Sequence, residues 1–397
     1  MVDLESRQAI ADLSEALLAC RPMIERLDAP VRVATGGVAT GGAADPLPVA
    51  NRVAAALGLP QLAAAGDGDG DDDGDGVFHG VVSDRIALGG LAAALARIPA
   101  DSDAVAAQAA RCAAADLASW CERVAVPVDG GAEVTAWVAG DPDAPAVVLS
   151  SACGMPARLA EPWLRHLAVG RRVVLWESRG MFGDLDGFRG DTDVDAQVAD
   201  ARAVLAALDL HGVHLVGLCG GAVVAARCAA AEPERVSSLS LWHGDFDLGD
   251  AAPKTDHQRN LLGLMDMAVA APDQAESMHE VVCQSMLGTV PADLAPLVLY
   301  PYLTAELFLR YCRLNSAIMH CDLTATLRDI AQPTLVVTSA TDDTAHPQGS
   351  REVARRLAAA TLVVNESGDH ISLFRGDPGM LATLDEFLAR TVVGAGR

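Results

Sequence analysis

The stretch 213-VHLVGLCGGAVVAARCAAAEPERV-236 constrains the fold more than any other part of the chain. Apart from His214, Val213–Leu218 is apolar on both alternations rather than on one. A strand of that kind is buried on both faces, which requires a mostly parallel sheet covered by helices on either side. Gly217-Leu218-Cys219-Gly220-Gly221 then reads as a very tight turn into a helix of small residues. Glycines at −2 and +2 let strand and helix approach each other. The turn lifts Cys219 off the strand end, beside the backbone N–H of Gly220 and the N-terminus of the helix, where negative charge is favoured.

The rest of the second part of the chain follows the same rhythm. Residues 122–154 read as two short strands joined by a Gly turn, then the buried strand Ala146–Ser150. Helices are predicted at 157–168, 192–208, 350–360 and 378–391, and strands within 171–180, 236–244, 333–343 and 361–370. Buried strands alternating with helices give an α/β fold with helices on both faces of the sheet. Between 244 and 333 no strand is evident, and about 250–328 is expected to form a helical cap over the carboxyl ends of the strands. Residues 1–121 read as a mostly helical N-terminal region, with 122–397 as the sheet-bearing domain. The run 66-GDGDGDDDGDG-76 reads as a solvated acidic linker. Asp69, Asp71, Asp73 and Gly74 imitate the start of a calcium loop, but its twelfth position would be Gly80 where a bidentate glutamate is needed.

Composition closes several routes. A net charge of −24 argues against nucleic acid and anionic membrane as partners. Despite 51% hydrophobic residues, no uncharged apolar run of about 18 residues predicts a membrane span. The acidic start MVDLESRQAI is unlike a signal peptide. An odd count of 9 cysteines with no CxxC spacing signals neither a disulfide framework nor a zinc site, so a reducing cytoplasm is expected. No metal and no bound cofactor are expected.

Downstream of the turn, a strand ends in Asp342-Asp343, and Gly368-Asp369-His370 follows a later strand. Nucleophile, acid, histidine is the chain order of the α/β-hydrolase fold, and from about residue 123 onward the sequence resembles that superfamily. The resemblance implies Cys219 as nucleophile, His370 as base, and Asp342 or Asp343 as the acid that orients it. Gly220 would supply one oxyanion N–H. The second is expected within 151-SACGMP-156, at Ala152 or Cys153. His243 and Asp245, at another strand end, are candidates to line the site, whereas Cys228 reads as a small buried hydrophobe.

A thiol at the turn has its own chemistry. Thiols ionise far below hydroxyls, and a helix N-terminus beside a histidine lowers that further. An acyl-cysteine is a thioester and keeps the activation that an oxyester would lose. Chain length, N-terminal extension and mid-chain cysteine turn resemble the aminoacyltransferases of syringomycin-type nonribosomal peptide biosynthesis. That resemblance implies transfer of an aminoacyl group between phosphopantetheine thiols of a donor and an acceptor carrier-protein domain. Docking to acidic carriers would need a local arginine patch, at Arg351, Arg355 and Arg356 or at Arg171 and Arg172. The same residues would equally serve a thioesterase or a lactone or ester hydrolase. A degenerate binding protein on this fold is the non-enzymatic alternative. The apolar cap block reads as a lid or as a homodimer surface.

Overall fold

The computed structural model describes residues 3–35, 45–66, 76–99, 102–183, 185, 187–287, 290–366 and 368–394. Asp69, Asp71, Asp73 and Gly74 of the acidic run lie outside the described residues. The described chain forms two compact units: Met1–Trp120 with Glu276–Ala305, and Cys121–Ala275 with Glu306–Arg397. The long helical block is therefore divided, its middle grouping with the N-terminal unit and its flanks with the sheet-bearing unit.

The N-terminal unit carries α1 (Leu4–Ile24), β1 (Val31–Val33), α2 (Leu47–Ala56), β2 (Leu62–Ala64), α3 (Gly76–Ile86), α4 (Leu88–Leu95), α5 (Asp103–Ala113) and the single turn α6 (Leu117–Trp120). Asp3 caps α1 by accepting the Ser6 N–H at 2.8 Å. Ile10, Leu13 and Leu17 bury one face of that helix. Within the N-terminal region read as mostly helical, the structure inserts two three-residue parallel strands, with Val31 opposite Leu62. Such strands are too short to show a period. They are fixed by distant side chains: Asn51 on α2 bonds both the N–H and the C=O of Leu62, and His79 Nδ1 accepts from Arg32 N at 3.1 Å.

The second unit is built on an eight-stranded sheet in the order β10-β9-β8-β7-β5-β6-β4-β3. Its strands are β3 (Glu122–Pro127), β4 (Glu133–Ala139), β5 (Ala146–Ser150), β6 (Arg172–Trp176), β7 (Val213–Leu218), β8 (Val236–Trp242), β9 (Thr334–Ser339) and β10 (Ala360–Asn365). The β3–β4 hairpin joins antiparallel at one edge, and every pairing from β6 to β10 is parallel. This is the α/β-hydrolase fold, with β7 central between β5 and β8. Its flanking helices are α7 (Glu161–Leu167), α8 (Val194–Ala207), α9 (Gly221–Ala231), α15 (Pro347–Arg356) and α17 (Pro378–Gly394). From the former cap block, α10 (Asp256–Ala270), α13 (Ala305–Met319) apart from Ala305, and α14 (Thr326–Asp329) belong here, whereas α11 (Ala275–Leu287) apart from Ala275, and α12 (Ala295–Val298), group with the first unit. The one-turn α16 (His370–Phe374) follows β10. No described helix is long and apolar enough to cross a membrane.

Two features tie the sheet's core together. Trp163 and Trp242 meet edge to face at 4.9 Å, and Trp163 donates to the Leu373 carbonyl at 2.7 Å. On β7, the buried His214 is bracketed by two β8 hydroxyls, Ser238 at 2.8 Å from Nδ1 and Ser240 at 3.0 Å from Nε2. Burial, aided by the charge of Arg171, pushes its pKa down from 6.5 to about 3. The unfolded chain therefore binds this proton first as pH falls. The stability tied to neutral His214 is present above pH 6.5 and lost between there and about 3. Denaturant titrations should show a loss approaching about 1.4 kcal/mol per pH unit in that window from this one group. His214→Gln should flatten that slope while lowering stability at pH 7.

Candidate active site

The turn after β7 is as tight as its glycines predict. Cys219 takes φ +55°, the left-handed region that non-glycine residues rarely occupy. Its N–H is held by the Trp242 carbonyl at 3.0 Å, across the gap to β8. A Cβ on Gly221 would fall 2.1 Å from the Ser150 carbonyl oxygen, and one on Gly217 would fall 2.5 Å from Ala222 Cα. Among the described residues the N–H groups of Gly220, Ala152 and Cys153 have no hydrogen-bond acceptor. Cys219 itself is half-buried.

His370 opens α16, whose first turn is fixed by Asp369 accepting from Ser372 N at 2.9 Å. Its Nδ1 lies 3.1 Å from Asp342 Oδ2. The other carboxylate oxygen, Oδ1, accepts the backbone N–H groups of Thr344 at 2.9 Å and Ala345 at 3.0 Å. Burial raises the Asp342 pKa, but hydrogen bonds from His243 and His370 outweigh it and hold the carboxyl well below the ordinary range. For His370, burial disfavours the charged ring. The charges of Cys219 and Asp342 overcome that and push its pKa up to about 10. His370 Nε2 lacks a hydrogen bond of ordinary geometry, while both the charge of Cys219 and side-chain contact with its thiol favour the protonated ring.

The structure thus brings Cys219, His370 and Asp342 together from three separate loops. It separates Asp343, which is exposed and turned to solvent, so that Asp342 alone meets His370. Two expectations change. His243 does not line an open site: it is fully buried, and its Nδ1 bonds Asp342 Oδ2 at 2.7 Å. Its φ of +49° swings the ring inward from the end of β8. Asp245 is taken up by Lys254, the chain's only lysine, at 2.5 Å and by Gln258 at 2.6 Å. Cys153 is buried beside the turn. Burial, then the nearby Cys219, pushes its thiol well up, so it stays protonated. Cys228 behaves as the small hydrophobe expected, its thiol pushed by burial to about 12.

Residues the sequence did not mark come from α13. Tyr311 and Leu314 crowd Gly154, where a Cβ would fall 2.9 Å from Tyr311 Cδ2. Ile318 and Asn315 lie over Gly220. Asn315 Nδ2 donates to the carbonyls of Tyr311 at 3.1 Å and Cys153 at 3.4 Å, pinning the helix to the 151–156 loop. Ser316 and His320 fasten the same helix to Asp266 on α10. The adjacent face of α13 lines a cleft of about 550 Å³ with Glu306, Arg310 and Arg313. Of the arginines considered for docking, Arg355 and Arg356 are both bonded to Glu352, and Arg171 pairs with Asp385 at 3.0 Å.

The ligand-type atoms of His243, Asp342 and His370 lie within 4.8 Å of one another. Both Nδ1 atoms and the shared oxygen are joined by hydrogen bonds between them.

Two outcomes follow from this geometry. Gly221→Ala should cost about 3 kcal/mol or more, seen as a loss of folded yield or a large drop in Tm, because its Cβ meets fixed backbone. The raised His370 pKa means the ring keeps its proton through neutral pH and releases it near pH 10. The alkylation rate of Cys219 by iodoacetamide should accordingly show an inflection in that alkaline range, absent in His370→Ala.

The profile of the alpha/beta hydrolase family matches residues 152–384. "Putative carbamate hydrolase RutD" of Pantoea ananatis is 27% identical over 261 residues, covering 61% of this chain and 84% of the relative. "Putative non-heme bromoperoxidase BpoC" of Mycobacterium tuberculosis is 27% identical over 229 residues, covering 56% and 85% respectively. Among solved structures, the enol-lactonase of Burkholderia xenovorans has a TM-score of 0.54 at 20% identity, covering 67% of this chain and all (100%) of the lactonase. The esterase EaEST of Exiguobacterium antarcticum has a TM-score of 0.55 at 18% identity, over 68% of this chain and 100% of the esterase. With more than half its length matched by the family profile and its sheet in the same fold, the chain belongs to the alpha/beta hydrolase family.

Proposed function

We propose that this protein is an acyl-transferring hydrolase that forms a covalent thioester on Cys219 and releases it to water. Small esters, lactones or other activated acyl compounds are the substrate class. The observation that carries this reading is the convergence of the left-handed Cys219 turn with His370, which is bonded to Asp342 at 3.1 Å and lies close enough to Cys219 for its charge to favour the imidazolium. The hydrolase names of the relatives support water as acceptor.

The steps follow from the residues. The Cys219 thiolate attacks the carbonyl carbon, and the resulting oxyanion takes hydrogen bonds from the free N–H of Gly220 and of Ala152 or Cys153. His370 gives its proton to the leaving alkoxide as the bond to it breaks. Neutral His370 then takes a proton from water as the water adds to the acyl carbon. Collapse expels the thiolate and returns the imidazolium, so one ester and one water become one acid and one alcohol. Asp342 keeps the His370 ring in the tautomer that presents Nε2 throughout.

One observation favours a second reading, transfer to another thiol: the thiol at position 219 itself. A thioester formed from a phosphopantetheine-bound acyl group conserves activation, and a carrier thiol can recover it. That reading requires carrier domains as partners, and the engagement of Arg355 and Arg356 by Glu352 leaves less free positive charge to meet them.

Intact mass spectrometry with p-nitrophenyl acetate and an acyl N-acetylcysteamine thioester distinguishes the two. Hydrolysis predicts an acyl adduct on Cys219 that decays to free acid at a rate independent of added thiol. Transfer predicts an adduct that persists until a second thiol, such as a phosphopantetheinylated carrier, takes it. No adduct with either substrate would sink both. Cys219→Ala should lower turnover about a thousandfold or more, and Asp342→Asn by a comparable factor. Asp343→Asn should leave it within about twofold.

A further inference from the structure

The oxygen that orients His370 is shared. Asp342 Oδ2 receives Nδ1 of His370 at 3.1 Å and Nδ1 of His243 at 2.7 Å, so the closer partner is the histidine outside the three-residue array. A carboxylate oxygen only accepts, so both rings carry hydrogen on Nδ1. The two rings meet edge to face with centroids 5.7 Å apart. His243 is fully buried, and its Nε2 meets no partner among the described residues.

The backbone at His243 repeats that at Cys219. Each residue stands just past the end of its strand, β7 or β8, and each is in the left-handed region, at φ +55° and +49°. Each N–H is held by the next strand, Cys219 by Trp242 O at 3.0 Å and His243 by Val337 O at 2.9 Å. A strained non-glycine residue on two neighbouring strand ends persists only where its surroundings hold it. At β7 the strain presents the thiol. At β8 it turns an imidazole onto the acid.

We propose that His243 is a positioning residue of the reaction, which shares Asp342 Oδ2 with His370 and so limits how strongly the carboxylate retains the His370 proton. This rests on the reading of Cys219, His370 and Asp342 as the reacting array. Two donors on one oxygen divide its charge between them. A lone Asp–His pair would bind the imidazolium more firmly. In the acyl-enzyme the same ring must be neutral to accept a proton from the incoming water or thiol, so weakening that hold speeds the second half of the reaction. The titratable groups facing the cluster are Cys219 from the turn, Asp342 from the loop after β9 and His370 from α16, with the protonated Cys153 behind the turn. Asp245, on the loop after His243, is bonded to Lys254.

The test is the pH dependence of Cys219 alkylation by iodoacetamide in wild type, His243→Phe and His243→Asn. Phenylalanine keeps a ring but removes the donor. Asparagine offers an N–H near the place of Nδ1 and tolerates positive φ. The alkaline inflection, where His370 loses its proton, should rise by about one pH unit in His243→Phe and return toward wild type in His243→Asn. A structural role alone would lower Tm in both and leave the inflection unmoved, which overturns the proposal. An unreactive Cys219 in the wild type would overturn the catalytic array as well, so the two failures are told apart. Should the phenylalanine variant not fold, nitrogen-15 histidine spectra of the wild type decide: His243 with hydrogen on Nδ1 and bare Nε2 supports the proposal, and the opposite tautomer refutes it.

Discussion

Gly221 has almost no clearance from the Ser150 carbonyl, and much of the candidate site is arranged around that close approach. It draws the start of α9 against the end of β5. This forces Cys219 into a left-handed turn and brings the free N–H of Gly220 to the same place as the loop after β5. A larger residue would move strand and helix apart and take the thiol, the Gly220 N–H and the helix N-terminus out of register together. Parallel strands on both sides of β7 make this rigid. Each loop that contributes to the candidate site leaves from the same edge of the sheet, from β5, β7, β8, β9 and β10.

Much of this was legible in the sequence because it depends on local rules. Consecutive apolar residues mark strands buried on both faces, and small residues around Cys219 mark a turn that nothing larger could make. The fold class follows from those rules alone. The short strands β1 and β2 were not legible. Three residues show no period, and they exist because Asn51 and His79 reach them from helices elsewhere in the unit. The contacts of α13 with Gly154 and Gly220 were equally hidden, since they depend on how a distant helix returns to the sheet.

The site was legible in its order and not in its directions. The spacing of Cys219, Asp342 and His370 along the chain carries the resemblance, but two adjacent aspartates cannot be told apart without knowing which one points inward. The difference is made by Thr344 and Ala345, whose N–H groups hold Asp342 Oδ1. His243 is the sharper case. At a strand end a side chain faces in or out according to a single backbone rotation, and the left-handed φ that decides it leaves no mark in the residue type.

Lysine scarcity acquires a meaning once the chemistry is considered. Lys254 is the chain's sole lysine, and it is locked to Asp245 and the Phe246 carbonyl. A thioester exposed at the mouth of a site will acylate any nearby primary amine it meets. Apart from the N-terminal amine, the remaining basic side chains are arginine and histidine, which offer such an intermediate no primary amine. Under the chemistry proposed, the protein is thereby shielded from labelling itself with its own substrate.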